Sequence, residues 1–203
     1  MPGSMASLPI VHATTMAELF FVVGASGVGK DSLLNFARQH LQADAPVVFA
    51  HRYITRQVEL QGENHIALST QEFARRAKRG CFAMQWQRHQ TRYGIGVEID
   101  QWLSLGLSVV INGSRAYLPQ AASRYRELIP VLITAEYELL RRRLQNRGRE
   151  SREEIEARLS LARSLDERTV HPRLQCITNS GRLEVAGNQL LDLIQGELDQ
   201  ACA

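Results

Sequence analysis

The residues with the clearest chemical meaning lie in the stretch FFVVGASGVGKDSLL, residues 20–34. Four apolar residues precede the pattern Gly24-x-x-x-x-Gly29-Lys30, and apolar residues at helical spacing follow it. In such a loop, backbone N–H groups and a lysine surround the phosphates of a nucleotide. The pattern normally ends in Ser or Thr, whose hydroxyl binds Mg²⁺, but this chain has Asp31. The stretch therefore predicts a phosphate-binding loop with an altered metal ligand.

The predicted loop residues are consecutive in the chain: Gly24, Ala25, Ser26, Gly27, Val28, Gly29, Lys30, Asp31 and Ser32. We expect Asp31 to hold Mg²⁺ directly or through a water, because a carboxylate is a hard oxygen ligand. Ser32 cannot take over that position, since consecutive helical residues differ by about 100° around the axis. The alternative is that Asp31 only interacts with the dipole of the helix that begins there.

A second cluster of basic residues lies at 141–158, RRRLQNRGRESREEIEAR, and contains seven arginines. The break at Arg147-Gly148-Arg149 predicts a hinged helical hairpin that could close over a nucleotide and place guanidinium groups on the transferring phosphoryl group. An RNA-binding patch is disfavoured, because the interleaved glutamates would repel a phosphate backbone. A third interpretation, a solvated helix face with i,i+4 ion pairs, is favoured for three of the arginines: Arg141, Arg142 and Arg152.

Short apolar strands alternate with amphipathic helices along the chain. Strands are predicted at 19–23, 47–50, 81–86, 92–95, 108–111, 130–134 and 174–178. Helices are predicted at 30–41, 69–79, 97–105, 117–128, 135–147, 151–164 and 185–198. This alternation is typical of a parallel sheet covered by helices on both faces. The strand-rich stretch 51–96 interrupts the alternation and predicts an insert on that core.

The whole chain has the composition of an ordinary globular domain, with 203 residues, 44% hydrophobic and 22% charged. We expect a tail or cloning remnant at 1–16 and a single domain at 17–203. No apolar run approaches the roughly 20 residues that span a membrane, and the first 16 residues do not form a convincing signal peptide. The three isolated cysteines (Cys81, Cys176 and Cys202) offer no metal-binding spacing, so we expect reduced thiols in a cytoplasmic protein.

Over residues 19–195 the chain resembles the guanylate kinase-like branch of P-loop kinases. The resemblance rests on GASGVGKDS, on Thr55-Arg56, on Tyr93-Gly94 and on the lid stretch R-L-x-x-R-G from Arg143 to Gly148. It implies a three-layer α/β P-loop kinase fold with a parallel-sheet core, a substrate-binding insert at 51–96 and a helical lid at 141–158. It also implies the roles of single residues. Arg143, Arg147 and Arg158 would contact ATP phosphates or the transferred group, Arg56 would hold the acceptor's phosphate, and Tyr93 would help to bind it.

The chain departs from guanylate kinases at the positions that read the purine. Met84 stands where those enzymes have a glutamate that binds the guanine edge, Glu59 replaces a second arginine, and His65 replaces a tyrosine. An aspartate-rich segment reads Asn112-Gly113-Ser114-Arg115 instead. A thioether cannot replace a carboxylate as a hydrogen-bond acceptor. The purine-reading half of the site is therefore missing, while the phosphate-handling parts remain.

Together with GKDS, ITR, ENH, RYGIG and INGSR, these departures make the chain similar to the ribose 1,5-bisphosphate phosphokinases over its whole length. Members of that family use ATP to make 5-phosphoribosyl 1-diphosphate, typically within phosphonate breakdown. The resemblance implies ATP and Mg²⁺ as cofactors and a small-molecule substrate, with no nucleic acid or membrane partner. The oligomeric state stays open. The expected acceptor contacts are Arg52, Arg56, His65, Tyr93, Asn112, Ser114 and Arg115.

Two other functions stay open from the sequence. The first is a guanylate kinase or another nucleoside monophosphate kinase, against which Met84 counts. The second is a catalytically inactive guanylate kinase-like module that binds proteins. Such a module would not be expected to keep both Lys30 and the lid arginines, because the desolvation of these cations serves only phosphate binding.

Overall fold

The structure is a computed structural model that describes residues 17–57, 65–146, 148 and 150–196. The predicted tail at 1–16 lies outside these ranges, as do Glu59, Arg147 and Cys202. No helix in the described part of the chain has both the length and the apolar character needed to cross a bilayer.

A five-stranded parallel sheet forms the centre of the molecule. Its strands are β1 (Leu19–Gly24), β2 (Val47–Phe49), β7 (Ser108–Asn112), β8 (Leu128–Thr134) and β9 (Gln175–Thr178), in the order β2-β7-β1-β8-β9. β1 and β8 consist almost entirely of buried apolar residues, as expected for strands covered on both faces. The parallel sheet predicted from the alternation of strands and helices is confirmed.

Two hydrophobic clusters cover the two faces of this sheet, because successive side chains of a strand point to opposite sides. Phe20 and Val22 of β1 belong to one cluster, and Phe21 and Val23 belong to the other. Four helices contribute to the first cluster: α1 (Lys30–His40), α5 (Tyr137–Asn146), α6 (Arg152–Glu167) and α7 (Leu183–Ile194). Two helices contribute to the second: α3 (Glu98–Ser104) and α4 (Leu118–Arg124). The three-layer α/β fold is thus the one predicted.

The insert forms a second sheet of four strands. These are β3 (Arg52–Ile54), β4 (His65–Ala67), β5 (Phe82–Arg88) and β6 (Thr91–Gly96), in the order β4-β3-β6-β5. Helix α2 (Thr70–Lys78) covers one face of this sheet, where Phe73 stacks on Phe82 with ring centroids 4.6 Å apart. β3 and β4 were not predicted, because three residues each are too few to show a period of two.

Several helix boundaries differ from prediction, including the end of α6 at Glu167 and the start of α7 at Leu183. The helix predicted to reach Leu128 ends at Arg124, since β8 begins at Leu128. The predicted capping box at the start of α6 is confirmed, with Ser151 accepting from the backbone N–H of Glu154 and Glu154 accepting from that of Ser151. Cys81 is a free, exposed thiol, but Cys176 is disulfide-bonded, so the expectation of a reduced thiol is wrong there.

Candidate active site

All the predicted site segments in the described chain follow the carboxyl ends of parallel strands, which meet at one edge of the sheet. The loop 24–29 follows β1, the central strand. The insert follows β2, and Asn112 ends β7, both on one side of β1. The helix α5 follows β8, and Asn179 follows β9, both on the other side. The topology therefore places the loop between two groups of polar residues.

The phosphate-binding loop adopts a backbone conformation that requires glycine at Gly29. Gly29 caps the amino end of α1 with φ +94°, and a Cβ there would lie 2.5 Å from Nδ2 of Asn179. Glycine therefore suits this position both in conformation and in space. Nζ of Lys30 donates to the carbonyl oxygen of Gly24 at 3.3 Å, so the ammonium lies over the loop. A helix amino terminus with an adjacent cation is an anion-binding arrangement.

Two side chains from the β8–β9 side donate hydrogen bonds to the backbone of the loop. Nδ2 of Asn179 and a guanidinium nitrogen of Arg143 both donate to the carbonyl oxygen of Val28, at 2.7 Å and 3.1 Å. Asn179 is 3% exposed and was not predicted as a site residue. Its one signal in the sequence is a polar residue directly after a predicted strand, at the edge where ligands of such sheets bind.

A cleft with a volume of about 410 Å³ opens beside the loop on the β8–β9 side. It is large enough for a nucleotide-sized ligand. Because the loop forms part of its wall, a nucleotide in the cleft would have its phosphates at the amino end of α1. The lining residues are Gly27, Gly29, Ser32, Arg143, Asn146, Asn179, Gly181 and Leu183.

Asp31 lies on the opposite side of the loop and contacts β7. Nδ2 of Asn112 donates to Oδ1 of Asp31 at 2.8 Å, and Asn112 is buried. Both line a small cavity of about 20 Å³, which is room for one water-sized occupant. No group of three His, Cys, Asp or Glu residues suited to a metal occurs in the described ranges. A carboxylate beside an amide fits Mg²⁺, which takes few protein ligands and completes its shell with water and phosphate oxygens.

Three predicted acceptor contacts share one face of the insert sheet. Arg52 pairs with His65 and Ile95, and Ile54 pairs with Tyr93, so Arg52, His65 and Tyr93 lie on the same side. The guanidinium carbon of Arg52 lies 5.2 Å from the centre of the Tyr93 ring. His65 is 5% exposed, and its Nε2 lies 3.2 Å from the carbonyl oxygen of Arg56. The exposed Arg56 lies just beyond β3.

Arg115 contacts the second half of α6, beyond the predicted lid. Its guanidinium donates to the carbonyl oxygen of Ala162 at 2.9 Å and to Oδ1 of Asp166, both on α6. The Arg115 side chain is only 9% exposed. Burial raises the pKa of Asp166 above its usual value, although the nearby Arg115 lowers it. Ser114, directly before it, is half-buried and caps the turn that leads to α4.

The predicted lid, 141–158, covers the second half of α5 and the first half of α6, and three of its described arginines pair with glutamates. Arg158 on α6 forms an ion pair with Glu150, which precedes the helix. Arg141 pairs with Glu138 and with Glu156, and Arg142 pairs with Glu138. The predicted i,i+4 ion pair is therefore confirmed for Arg142, whereas Arg141 pairs with a residue three positions earlier and with the neighbouring helix. Arg147 lies outside the described residues.

A phosphate-binding loop at the edge of a parallel sheet, flanked by a small inserted sheet and a helical lid, defines the class of guanylate kinase-like P-loop kinases. A solved structure of guanylate kinase from Anaplasma phagocytophilum matches with a TM-score of 0.67, covering 90% of this chain and 87% of that one. The two sequences are only 16% identical, so this likeness shows the fold.

Sequence relatives identify the family. The ribose 1,5-bisphosphate phosphokinase PhnN of Psychromonas ingrahamii is 53% identical over 197 residues, 97% of each chain. That of Thiobacillus denitrificans is 49% identical over 179 residues, covering 87% of this chain and 92% of its own. The chain belongs to the ribose 1,5-bisphosphate phosphokinase family. No protein-family model matches it.

Proposed function

We propose that this chain transfers the γ-phosphoryl group of ATP to the 1-phosphate of ribose 1,5-bisphosphate, giving 5-phosphoribosyl 1-diphosphate and ADP. Membership of the family supports this reaction. The observation that supports it is that the phosphate-binding loop borders a nucleotide-sized cleft on the β8–β9 side, while the insert that bears Arg52, His65 and Tyr93 follows β2 on the other side of β1. Donor and acceptor phosphates can then meet over one loop.

The chemistry requires positioning and charge neutralisation rather than a base. A phosphate monoester has its second pKa near about 6, so the acceptor oxygen is largely ionised at neutral pH. In the reaction, this oxygen forms a bond to the γ-phosphorus, and the bond from that phosphorus to the bridging oxygen of ADP breaks. The negative charge that accumulates calls for cations around an in-line arrangement.

On the nucleotide side, we assign phosphate binding to residues 24–32, with Lys30 at the terminal phosphates. Arg143 already lies against the loop through Val28, which supports a role near the phosphates. Arg147 and Arg158 are proposed to reach the transferred group when the lid closes. For Arg158 this requires exchange of its Glu150 partner for a phosphate.

Mg²⁺ is proposed to bind beside Asp31, with Asn112 holding that carboxylate in place. The ion would neutralise charge on the donor phosphates. The short distance between Asn112 and Asp31 supports this arrangement, since an oriented carboxylate is a better metal ligand than a freely rotating one.

On the acceptor side, two phosphate groups call for cations at both ends of a small sugar. We propose that Arg52, Arg56, His65 and Tyr93 bind the acceptor from the insert. Asn112, Ser114 and Arg115 are proposed contacts from the end of β7. For Arg115 this would require release from Asp166.

We further propose that residues 17–203 form a single domain, with the insert at 51–96 and the lid at 141–158. The cytoplasm is the proposed compartment, because ATP is supplied there.

The decisive experiment compares acceptors for the purified chain with ATP and Mg²⁺. We expect ribose 1,5-bisphosphate to be phosphorylated with a far higher kcat/KM than GMP, with the product diphosphate detected by phosphorus NMR. Efficient phosphorylation of GMP without product from ribose 1,5-bisphosphate would show a nucleoside monophosphate kinase instead. No ATP-dependent turnover of either compound would indicate a protein-binding module.

Substitution of two arginines of the insert sheet tests whether the face that bears Arg52, His65 and Tyr93, here called the acceptor face, binds the acceptor. Arg52→Ala should raise KM for ribose 1,5-bisphosphate by about tenfold or more, because a charged contact to a phosphate is lost. The matched control is Arg92→Ala. Arg92 lies on the opposite face, 5.9 Å from the centre of the Phe73 ring of α2. Equal losses in the two variants would contradict the assignment of this face.

A further inference from the structure

Four side chains form a continuous stack along the acceptor face of the insert sheet. The ring of Tyr93 lies parallel to that of Trp86, with centroids 5.6 Å apart and planes inclined by 6°. Trp86 in turn packs on Tyr117, with centroids 5.4 Å apart. At the other end, the guanidinium carbon of Arg52 lies 5.2 Å from the centre of the Tyr93 ring. We call these four residues the aromatic stack.

The strand order places Tyr93 in the middle of this stack. β6 lies between β3 and β5, so Arg52 on β3 and Trp86 on β5 reach Tyr93 from opposite sides. Trp86 pairs directly with Tyr93, and it therefore lies on the same face of the sheet as Arg52 and His65. The indole thus occupies the face that is proposed to bind the acceptor.

The spacing of the stack leaves no room for another ring. A nucleobase inserted between two aromatic rings needs about 3.5 Å on each side, or about 7 Å between the ring planes. The centroids of Trp86 lie only 5.6 Å and 5.4 Å from those of Tyr93 and Tyr117, so neither gap accepts a base.

The residues next to Trp86 on this face would not bind the edge of a base either. Met84 is 1% exposed and Ile95 is fully buried, and they are paired with each other. Both side chains are packed into the second hydrophobic cluster, so this part of the face offers a base neither free space nor a hydrogen-bonding side chain. An unsatisfied buried polar group is unfavourable.

We propose that Trp86 is a specificity-determining residue that excludes nucleoside monophosphates from the acceptor site. Its indole fills the space beside Tyr93 that the base of such an acceptor would need. A sugar bisphosphate needs no such space, and its phosphates can reach Arg52 and the hydroxyl of Tyr93 at the edge of the stack. This inference rests on the proposed function, and it names the residue that separates its substrate from nucleotide acceptors.

The test removes the ring and measures two acceptors side by side. In Trp86→Ala, the ratio of kcat/KM for GMP to kcat/KM for ribose 1,5-bisphosphate should rise by about tenfold or more, because room for a base is created. GMP binding, measured by titration calorimetry, should become detectable or tighter by a similar factor. Trp86→Phe keeps a stacked ring and should keep the wild-type ratio.

The matched control is Gln85→Ala. Gln85 is the preceding residue of β5, is exposed, and points to the opposite face, so this change should leave the ratio unaltered. If Trp86→Ala does not fold, Trp86→Leu preserves apolar packing while removing the ring. Folding of each variant is followed by thermal unfolding.

A second measurement follows the fluorescence of Trp86. The chain has two tryptophans, so Trp102→Phe leaves Trp86 as its single indole. In that background, ribose 1,5-bisphosphate should change the emission of Trp86. An unchanged acceptor ratio in folded Trp86→Ala and Trp86→Leu would overturn the inference. Absence of ribose 1,5-bisphosphate turnover in the wild-type chain would instead overturn the proposed function.

Discussion

Lys30 and Asp31 are adjacent in the chain but have different neighbours. Lys30 donates to Gly24 within the loop, whereas Asp31 accepts a hydrogen bond from Asn112 of β7. The helix turns by about 100° between consecutive residues, which separates the ammonium from the carboxylate. Lys30 is therefore suited to contact the nucleotide phosphates directly, and Asp31 is suited to hold the metal ion that would neutralise charge on them.

Replacement of Lys30 by Met should abolish turnover while the protein stays folded. We expect kcat/KM to fall by about a thousandfold, because a preorganised charge at the transferring group is lost. The control is Lys78→Met, which changes the one other lysine of the sequence, an exposed residue of α2. Normal kinetics in folded Lys30→Met would show that the loop does not take part in phosphoryl transfer.

Asp31→Asn should raise the Mg²⁺ concentration needed for half-maximal activity, because an amide is a weaker ligand for a hard cation than a carboxylate. Calorimetric titration of the ATP complex with Mg²⁺ should show the same weakening without turnover. Asp44→Asn, in an exposed loop, is the control for the loss of one negative charge. An unchanged Mg²⁺ titration would show that Asp31 does not bind the ion and only interacts with the helix dipole.

Polar contacts join α5 and α6 to the core, in addition to the apolar side chains that both helices contribute to the first hydrophobic cluster. Arg143 on α5 contacts the loop through Val28, and α6 is held by Arg115, which follows β7. Arg158 lies between these attachments, paired with Glu150. These contacts restrict the movement of α5 relative to the loop and of α6 relative to the end of β7.

Arg158→Ala should reduce kcat more than it raises KM for either substrate, since the proposed contact forms in the transition state. A loss of about a hundredfold is expected for one such donor. Arg142→Ala is the control, because Arg142 is a solvent-exposed partner of Glu138 in the same lid. A change confined to KM for ATP would place Arg158 in ground-state binding instead.

The burial of Asp166 beside Arg115 makes the stability of the fold depend on pH. Burial raises the pKa of Asp166, so the folded chain holds this proton to higher pH than the unfolded chain. The stabilisation that goes with the proton is complete below the ordinary value of 3.8 and is lost as pH rises through the raised pKa. Relative to Asp166→Asn, the wild type should therefore lose stability with rising pH.

Urea unfolding from about pH 4 to about pH 7 measures this difference in the free energy of unfolding. Asp44→Asn, which changes an exposed loop carboxylate that does not contribute to the pKa shift of Asp166, should run parallel to the wild type. A constant difference between the wild type and Asp166→Asn over the whole range would contradict the raised pKa.

Long elements and local motifs could be predicted from the sequence because their signals are local. The loop after β1, the capping box of α6 and the buried strands each carry a pattern within a few residues. β3 and β4 could not be predicted, since their pairing depends on partners 13 residues or more away, as for Arg52 and His65. The contact of Asn179 with Val28 spans 151 residues and has no local pattern at all.

The partners of the site arginines could not be predicted either, because they too are distant in the chain. The sequence indicated which arginines suit phosphate, but not which acidic partner each has in the folded chain. Arg115 meets Asp166 only because α6 packs near the end of β7, and that packing depends on tertiary structure. Side-chain partners across elements are decided by the fold rather than by spacing.

At the scale of the whole molecule, we expect the two ligands to stabilise the fold separately, because their proposed sites involve strands on opposite sides of β1. With Mg²⁺, ATP at about a hundred times its Kd should raise the free energy of unfolding by about 2.7 kcal/mol. For a chain of this size, that corresponds to an increase in Tm of roughly 5–10 °C.

Adenosine at the same concentration is the control, since it lacks the phosphates. Differential scanning calorimetry makes the comparison, and ribose 1,5-bisphosphate should give its own increase in Tm. An equal shift with adenosine would place the binding energy in the nucleoside and not at the loop.

The contact between Asn179 and Val28 also has a consequence for the order of events on the ribosome. Asn179 is translated 151 residues after Val28, which at about 5–20 residues per second is a delay of roughly 8–30 s. Throughout that time, the emerging loop lacks the amide that holds its carbonyl, and the central sheet lacks β9. ATP binding at the complete site therefore cannot stabilise the early nascent chain. It can stabilise only chains in which β9 has already joined the sheet.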